Sequence, residues 1–312
     1  YSDLMECLRD IRAYALKGDA HFEVALTALT RLLDRRYPTA DKKRRSILQM
    51  VYQALETIFR HLPSLEREDG KGGYRLIDWE TRSFFRGPAY QEKVLVIDAS
   101  LFPPEGDRCD SRLMAEAFFR GWRRFIVFGL KGQRFHGCGL GSGSGGVRMD
   151  IYGSSGDYLA SGIDGLSIFV HGNAQDQLGQ IMKSGKLVVY GDVGQTFLYG
   201  AKGGEVYVLG NAAGRPLINA VGRPRVVING TCLDFLAESF MAGDPFSGGG
   251  FVVLNGVEFD RDGKVAAQST PYPGSNLFSL ASGGAIYVRD PFQQVDEEQL
   301  NGGEIVPLTE KD

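Results

Sequence analysis

The strongest constraint in this chain is a recurrence of glycine. Apolar runs end in glycine again and again: Val147 to Gly153, Leu166 to Gly172, Leu187 to Gly191, Val206 to Gly210, Val226 to Gly230 and Phe251 to Gly256. The closing glycines at 153, 172, 191 and 210 are 19 residues apart, the next follows after 20 and the last after 26. A seventh run, Ala285 to Asp290, keeps the apolar residues and ends in aspartate. Six of the seven follow a glycine, among them Gly165, Gly185, Gly204 and Gly284, while Pro224-Arg225 precedes Val226. A run of β-branched and aromatic residues closed by glycine is a short strand closed by a corner, because glycine turns tightly at no steric cost. One such strand cannot bury its apolar side chains alone. Repetition at a short fixed period predicts stacked coils that bury them together. The prediction for 133–295 is a right-handed parallel β-helix of about 19-residue coils.

The rest of the chain differs in composition and period. Leu4, Leu8, Ile11 and Ala15 fall at helical spacing, as do Phe22, Ala25, Leu29 and Leu33, then Ile47, Val51, Leu55 and Ile58. Residues 1–73 thus read as a bundle of about three helices and a linker, Glu66 to Gly73. Pro38 breaks the pattern, with Thr39 or Asp41 as the cap of the third helix, and Pro63 ends it. The run Lys42-Lys43-Arg44-Arg45 reads as the solvated first turn of that helix, with an acidic partner as the alternative. In 74–132 the segment around Phe84 to Pro88 reads as an irregular crossing. Val94–Asp98, a helix from Asp110 or Ser111 through Trp122, and Arg124–Gly129 form a β-α-β unit. Residues 296–312 read as a tail. The fold class is therefore α+β and multidomain.

Hydrophobic residues at 43% and charged residues at 23% fit a soluble globular chain, and a net charge of −3 argues against nucleic-acid binding. No apolar stretch reaches the ~20 residues that span a bilayer. Cys7, Cys109, Cys138 and Cys232 include no CxxC pair, so the expectation is no metal site, reduced thiols and a cytoplasmic location. Gly141 to Gly146 matches GxGxxG, but a strand follows where phosphate binding needs a helix N-terminus.

No catalytic residues are identified. Gln133 and His136 form a candidate functional turn, with His136 as a locally bonded turn histidine the plainer reading; His171 reads as solvent-facing. Asp157, Asp164, Asp176 and Asp192 recur near corners. They could supply paired carboxylates for glycan chemistry, but aspartate also accepts backbone N–H groups at turns. Gln175, Gln195 and Asn211 suit bonding between stacked turns.

The stretches Gly153-Ser-Ser-Gly156, Gly162-Ile-Asp-Gly165, Gly172 to Asp176, Tyr199 to Gly210 and Ala281 to Asp290 resemble the GXGXG domain. This is the C-terminal β-helix of the glutamate synthase large subunit, and a β-helical subunit of formylmethanofuran dehydrogenase is a more distant cousin. The resemblance covers roughly Val94 to Asp290. It implies a non-catalytic scaffold subunit of a glutamate-synthase-like flavin and iron–sulfur oxidoreductase. It further implies a flavin subunit or a class II amidotransferase subunit as partner, with a further redox subunit on the helical bundle. FMN and iron–sulfur clusters would then be held by partners and no cofactor by this chain. The alternatives are an independent β-helix enzyme acting on carbohydrate and a regulatory interaction protein.

Overall fold

The structure is a computed structural model that describes residues 1–67, 72–310 and 312. Glu68 to Lys71, the centre of the expected linker, lie outside the described residues. Three helices come first: α1 (Ser2–Ala15), α2 (Asp19–Asp34) and α3 (Arg44–Arg60). Their apolar stripes meet through Leu8, Phe22, Leu29, Val51, Leu55 and Phe59. α3 begins at Arg44 with no side-chain cap, so neither Thr39 nor Asp41 serves as one.

A ten-stranded sheet, parallel throughout, runs through the remainder. Its strands are β1 (Tyr74–Ile77), β2 (Val94–Asp98), β3 (Arg124–Phe128), β4 (Arg148–Tyr152), β5 (Asp164–His171) and β6 (Ser184–Val189). β7 (Glu205–Val208), β8 (Arg225–Ile228), β9 (Phe251–Leu254) and β12 (Ala285–Val288) complete it in sequence order. Between β9 and β12, β10 (Val257–Phe259) and β11 (Val265–Ala267) make a separate antiparallel hairpin. α4 (Asp110–Phe119) joins β2 to β3. The sheet does not close on itself, so the architecture is α+β with a large open parallel sheet.

Alternation along each strand assigns the two faces. On the inner face, Leu95, Ile97, Phe125 and Val127 pack with Met114, Ala117 and Phe118 of α4. Further along, the inner residues Ile168, Leu187, Val206, Val226 and Val252 pack against chain returning from the preceding strand, such as Leu159, Leu178, Phe197 and Leu236. α4 thus covers the inner face of the first strands, and the corners of later coils cover the rest. On the outer face, Val94, Val96, Ile126, Phe128 and Tyr152 bury under α2 and α3. β2 is buried along its whole length, whereas β7, β8 and β9 are buried only at alternate residues. The helices stop covering the sheet about halfway along, and the burial pattern follows them.

Beyond the strands, two further parallel ladders link the coils. One runs Ser155, Ala174, Val193, Ala212, Cys232, and the other joins Val221, Met241 and Gly283. A third repeat links them. In each coil, the first, third and fifth residues of a five-residue segment have positive φ: Tyr158, Ala160 and Gly162; Gln177, Gly179 and Ile181; Thr196, Leu198 and Gly200; Arg215, Leu217 and Asn219. Phe135, Gly137 and Gly139 begin the series, which resumes at Phe235, Ala237 and Ser239 and again at Asn276, Phe278 and Leu280. The first and third of these amides donate to the next coil, as Tyr158 N–H does to the Asp176 carbonyl (3.1 Å) and Gly162 N–H to that of Gln180 (2.7 Å). The middle amide donates back, as Gly179 N–H does to the Leu159 carbonyl (2.7 Å). The backbone is therefore paired in both directions between neighbouring coils, which outweighs a left-handed cost of about 1 kcal/mol per non-glycine residue.

That cost is testable at Thr196, a β-branched residue at φ 58°. Thr196→Gly is expected to raise stability by about 0.5–1 kcal/mol, strain relief exceeding the added chain entropy. Reversible chemical denaturation measures it; a loss of stability would remove the strain argument.

Candidate functional site

The corner glycines divide into two kinds. Gly153, Gly165, Gly185, Gly204, Gly256 and Gly284 have left-handed φ, for example +118° at Gly165 and +105° at Gly185. Gly172, Gly191, Gly210 and Gly230 do not. What they lack room for is a Cβ: one added at Gly191 would strike the Asn173 Oδ1 atom and lie 2.7 Å from the Gly172 carbonyl oxygen. At Gly210 the obstacles are the Asp192 carboxylate and the Gly191 carbonyl at 2.6 Å, and at Gly230 the Asn211 side chain and the Gly210 carbonyl at 2.7 Å. The 19-residue period is thus a requirement for close approach between coils, in addition to the tight turning expected of glycine.

The side chains that block those glycines form a ladder of their own. Asn173 Oδ1 accepts from Asp192 N–H (2.9 Å), Asp192 Oδ1 from Asn211 N–H (2.8 Å), and Asn211 Oδ1 from Thr231 N–H (2.8 Å). A second column carries Asp157, which accepts from Asp176 N–H (3.3 Å), and Asp176, which accepts from Gln195 N–H (2.8 Å). Asp164 accepts from the Ser184 hydroxyl (2.8 Å). The recurring carboxylates therefore lie in separate columns, and each has an oxygen occupied by the neighbouring coil. This matches aspartate's ordinary use at turns.

The turn of Gln133 and His136 is buried. Gln133 Nε2 donates to the carbonyls of Ala99 (2.8 Å) and Phe102 (3.1 Å), and its Oε1 accepts from Lys131 N–H (2.5 Å). His136 lies 2.7 Å through Nε2 from Asp110 Oδ2, both side chains wholly buried, and its Nδ1 has no partner among the described residues. The pair fastens the first residue of α4 to the entry of the coils. The Gln133 and His136 side chains thus spend their described contacts on groups of this chain. The aspartate partner of His136 lies 26 residues away and was out of reach of local sequence reasoning.

His171 corrects the sequence reading. Rather than facing solvent, it is buried at the end of β5, stacked between Tyr152 (4.5 Å) and Tyr190 (5.4 Å). Nδ1 lies 2.9 Å from Asp34 Oδ1 at the end of α2, and Nε2 lies 3.3 Å from Asp150, which Arg148 also grips (2.7 Å). Burial alone would lower the His171 pKa, but hydrogen bonds to Asp150 and Asp34 outweigh it and raise it above the ordinary 6.5. Burial would likewise raise Asp150, yet Arg148 and His171 hold it below the carboxylate range. The imidazolium thus ties the helical bundle to the sheet. Because the folded-state pKa is raised, this stabilisation is complete below about pH 6.5 and is lost as pH rises through the higher folded value. His171→Gln is expected to cost about 2 kcal/mol near pH 6 and progressively less in alkali. Denaturation midpoints across that range measure it, and a difference independent of pH would contradict the assignment.

Among the described residues, no group of three or more His, Cys, Asp or Glu side chains is placed to hold a metal ion, and no helix is long and apolar enough to cross a membrane. Of the cysteines, Cys109 and Cys232 are buried and Cys7 is exposed. Burial pushes the Cys138 thiol up to about 12, which leaves it a poor nucleophile.

A parallel sheet continued from strand to strand through stacked, polar-laddered corners defines a class of repetitive folds. The family model described as the GXGXG motif matches residues 129–310, and the chain belongs to that family. Its alternate-residue spacing is also the spacing of the left-handed positions, although glycine fills only Gly137, Gly139, Gly162, Gly179 and Gly200 among them. No curated protein and no solved structure matches the chain.

Proposed function

We propose that this chain is a non-catalytic scaffold subunit of a glutamate-synthase-like, multi-subunit oxidoreductase. In this reading, residues 133–295 form a right-handed parallel β-helix whose sides are the sheet, the Ser155–Cys232 ladder and the left-handed corners. Residues 1–73 are the helical bundle, 74–132 the connecting unit and 296–312 the tail. FMN and iron–sulfur clusters belong to the partner subunits.

The observation that carries the proposal is the unequal covering of the outer sheet face. Where the helices end, Val188, Tyr207, Val227, Val253 and Tyr287 stand in register on successive strands and are all partly exposed. Phe251, Val253, Tyr287, Pro245 and Phe246 line a cleft of about 570 Å³ at its far end. Such a flat, mixed aromatic and aliphatic row on a rigid support fits a flavin or amidotransferase subunit better than a small substrate. The bundle's free side would take a further redox subunit.

An independent carbohydrate-active enzyme fits less well, because Asp157, Asp176 and Asp192 each accept a backbone amide of the next coil. A separately acting sensory bundle also fits less well, since its apolar residues share a core with β2, β3 and β4. Native purification tests the proposal: the chain is expected to co-elute with a flavoprotein or an amidotransferase, and Tyr207→Asp to release it. A monodisperse chain free of any flavoprotein would overturn the scaffold role.

A further inference from the structure

The basic run at the start of α3 is not simply solvated. With the loop before it and the β10–β11 hairpin opposite, it encloses a cleft of about 520 Å³ lined by Arg36, Lys42, Lys43, Arg44 and Arg261. The cleft is preformed: the hairpin tip at Gly263 packs so closely on the loop that an added Cβ would lie 2.8 Å from the Tyr37 amide nitrogen. Two carboxylates also line it. Asp41 is paired with Lys42 (3.0 Å), and Asp260 Oδ1 accepts the amides of Asp262 (2.9 Å) and Lys264 (2.8 Å) within the hairpin turn.

The other four cations have no carboxylate within ion-pair distance among the described residues. Arg36 donates to the carbonyls of Asp34 (3.3 Å) and Tyr190 (3.4 Å), and Arg44 to those of Leu33 (3.1 Å) and Arg35 (2.8 Å). Arg44 Nη1 is buried and without a partner among the described residues. The guanidiniums are held over aromatic rings, Arg36 over Phe259 at 5.3 Å and Arg44 over Tyr37 at 5.1 Å. The rings and carbonyls fix the orientation of two like charges but do not neutralise them. Burial and the nearby Arg44 accordingly lower the Arg36 pKa. Concentrated, oriented positive charge in a cleft calls for an anion, and α3 adds an uncapped N-terminus at its rim.

We propose that this cleft binds a phosphate-bearing small molecule, its phosphate held between Arg36, Lys43, Arg44 and Arg261. Three guanidinium forks and a flexible ammonium suit the several oxygens of a tetrahedral dianion better than a planar carboxylate, which one fork satisfies. The cleft is larger than a single phosphate requires, leaving room for the group that carries it. The site is independent of the scaffold role proposed above.

Calorimetric titration of inorganic pyrophosphate into the full chain, at constant ionic strength with chloride as control, tests the assignment. Saturable one-to-one binding is expected, weakened about tenfold or more by Lys43→Ser combined with Arg261→Ser and unchanged by Lys202→Ser on a distant coil. Arg261 is exposed and makes no hydrogen bond among the described residues, so Arg261→Ser alone gives a folded variant, checked by circular dichroism, if the pair does not. Absence of saturable heat with the wild-type chain overturns the proposal. So does equal weakening by Lys202→Ser, or tighter binding of a polyglutamate peptide lost in the same variants, which would mark an acidic-protein surface instead.

Discussion

Gly191→Ala is expected to destabilise the chain by about 3–5 kcal/mol, enough to prevent folding of a marginal domain. The added methyl would strike Asn173 Oδ1 and sit 2.7 Å from the Gly172 carbonyl oxygen, both fixed by the coil below. Relief would require the coils to separate, and separation breaks the Asp192 N–H bond to Asn173 and the backbone bonds beside it. The fault cannot be absorbed locally, because each coil rests on the next. Gly143→Ala is the matched control, with open space around its Cα and no left-handed φ, and is expected to change stability by less than about 0.5 kcal/mol. Equilibrium denaturation of both variants decides the matter. Equal effects would mean that the 19-residue period reflects something other than contact between coils.

The second large effect is expected at Glu92. Its carboxylate is nearly wholly buried and bonded to Arg75 Nε (2.6 Å), both terminal nitrogens of Arg86 (2.6 and 2.8 Å) and the Ala89 amide (2.8 Å). Arg75 is itself fully buried in β1. Burial would raise the Glu92 pKa, but the bonds from Arg86, the Ala89 amide and Arg75 together bring it down to about 2. Glu92→Gln keeps the shape and removes the charge that two guanidiniums face, so a loss of about 3–5 kcal/mol at neutral pH is expected. The depressed folded-state pKa gives stabilisation that is full above the ordinary 4.5 and disappears as pH falls toward about 2. The gap between wild type and variant should therefore narrow across that interval. A gap constant with pH would show that packing, not charge, holds the crossing segment in place.

Much of this architecture could be read before any coordinates. The helices of the bundle follow from apolar spacing, and the strands from Val94 to Val288 follow from short apolar runs set off by turn residues. β1 was missed because Tyr74–Ile77 is only four residues, one of them an arginine whose burial depends on Glu92. The β10–β11 hairpin was missed because neither of its three-residue strands is buried. His171 was misread because Asp34, its partner, is 137 residues away. The cleft around Arg36 was invisible for the same reason, since Arg261 approaches the basic run only across the folded surface.

Local chemistry was thus enough to place strands, corners and the family of the coils, since a run of apolar residues closed by glycine has few conformations and one economical way to be buried. Which face the bundle would cover, which carboxylate would meet which base, and why Gly172, Gly191, Gly210 and Gly230 lack a side chain were decided by stacking. Those features depend on distances between residues remote in the chain, and such distances exist only after the coils have closed on one another.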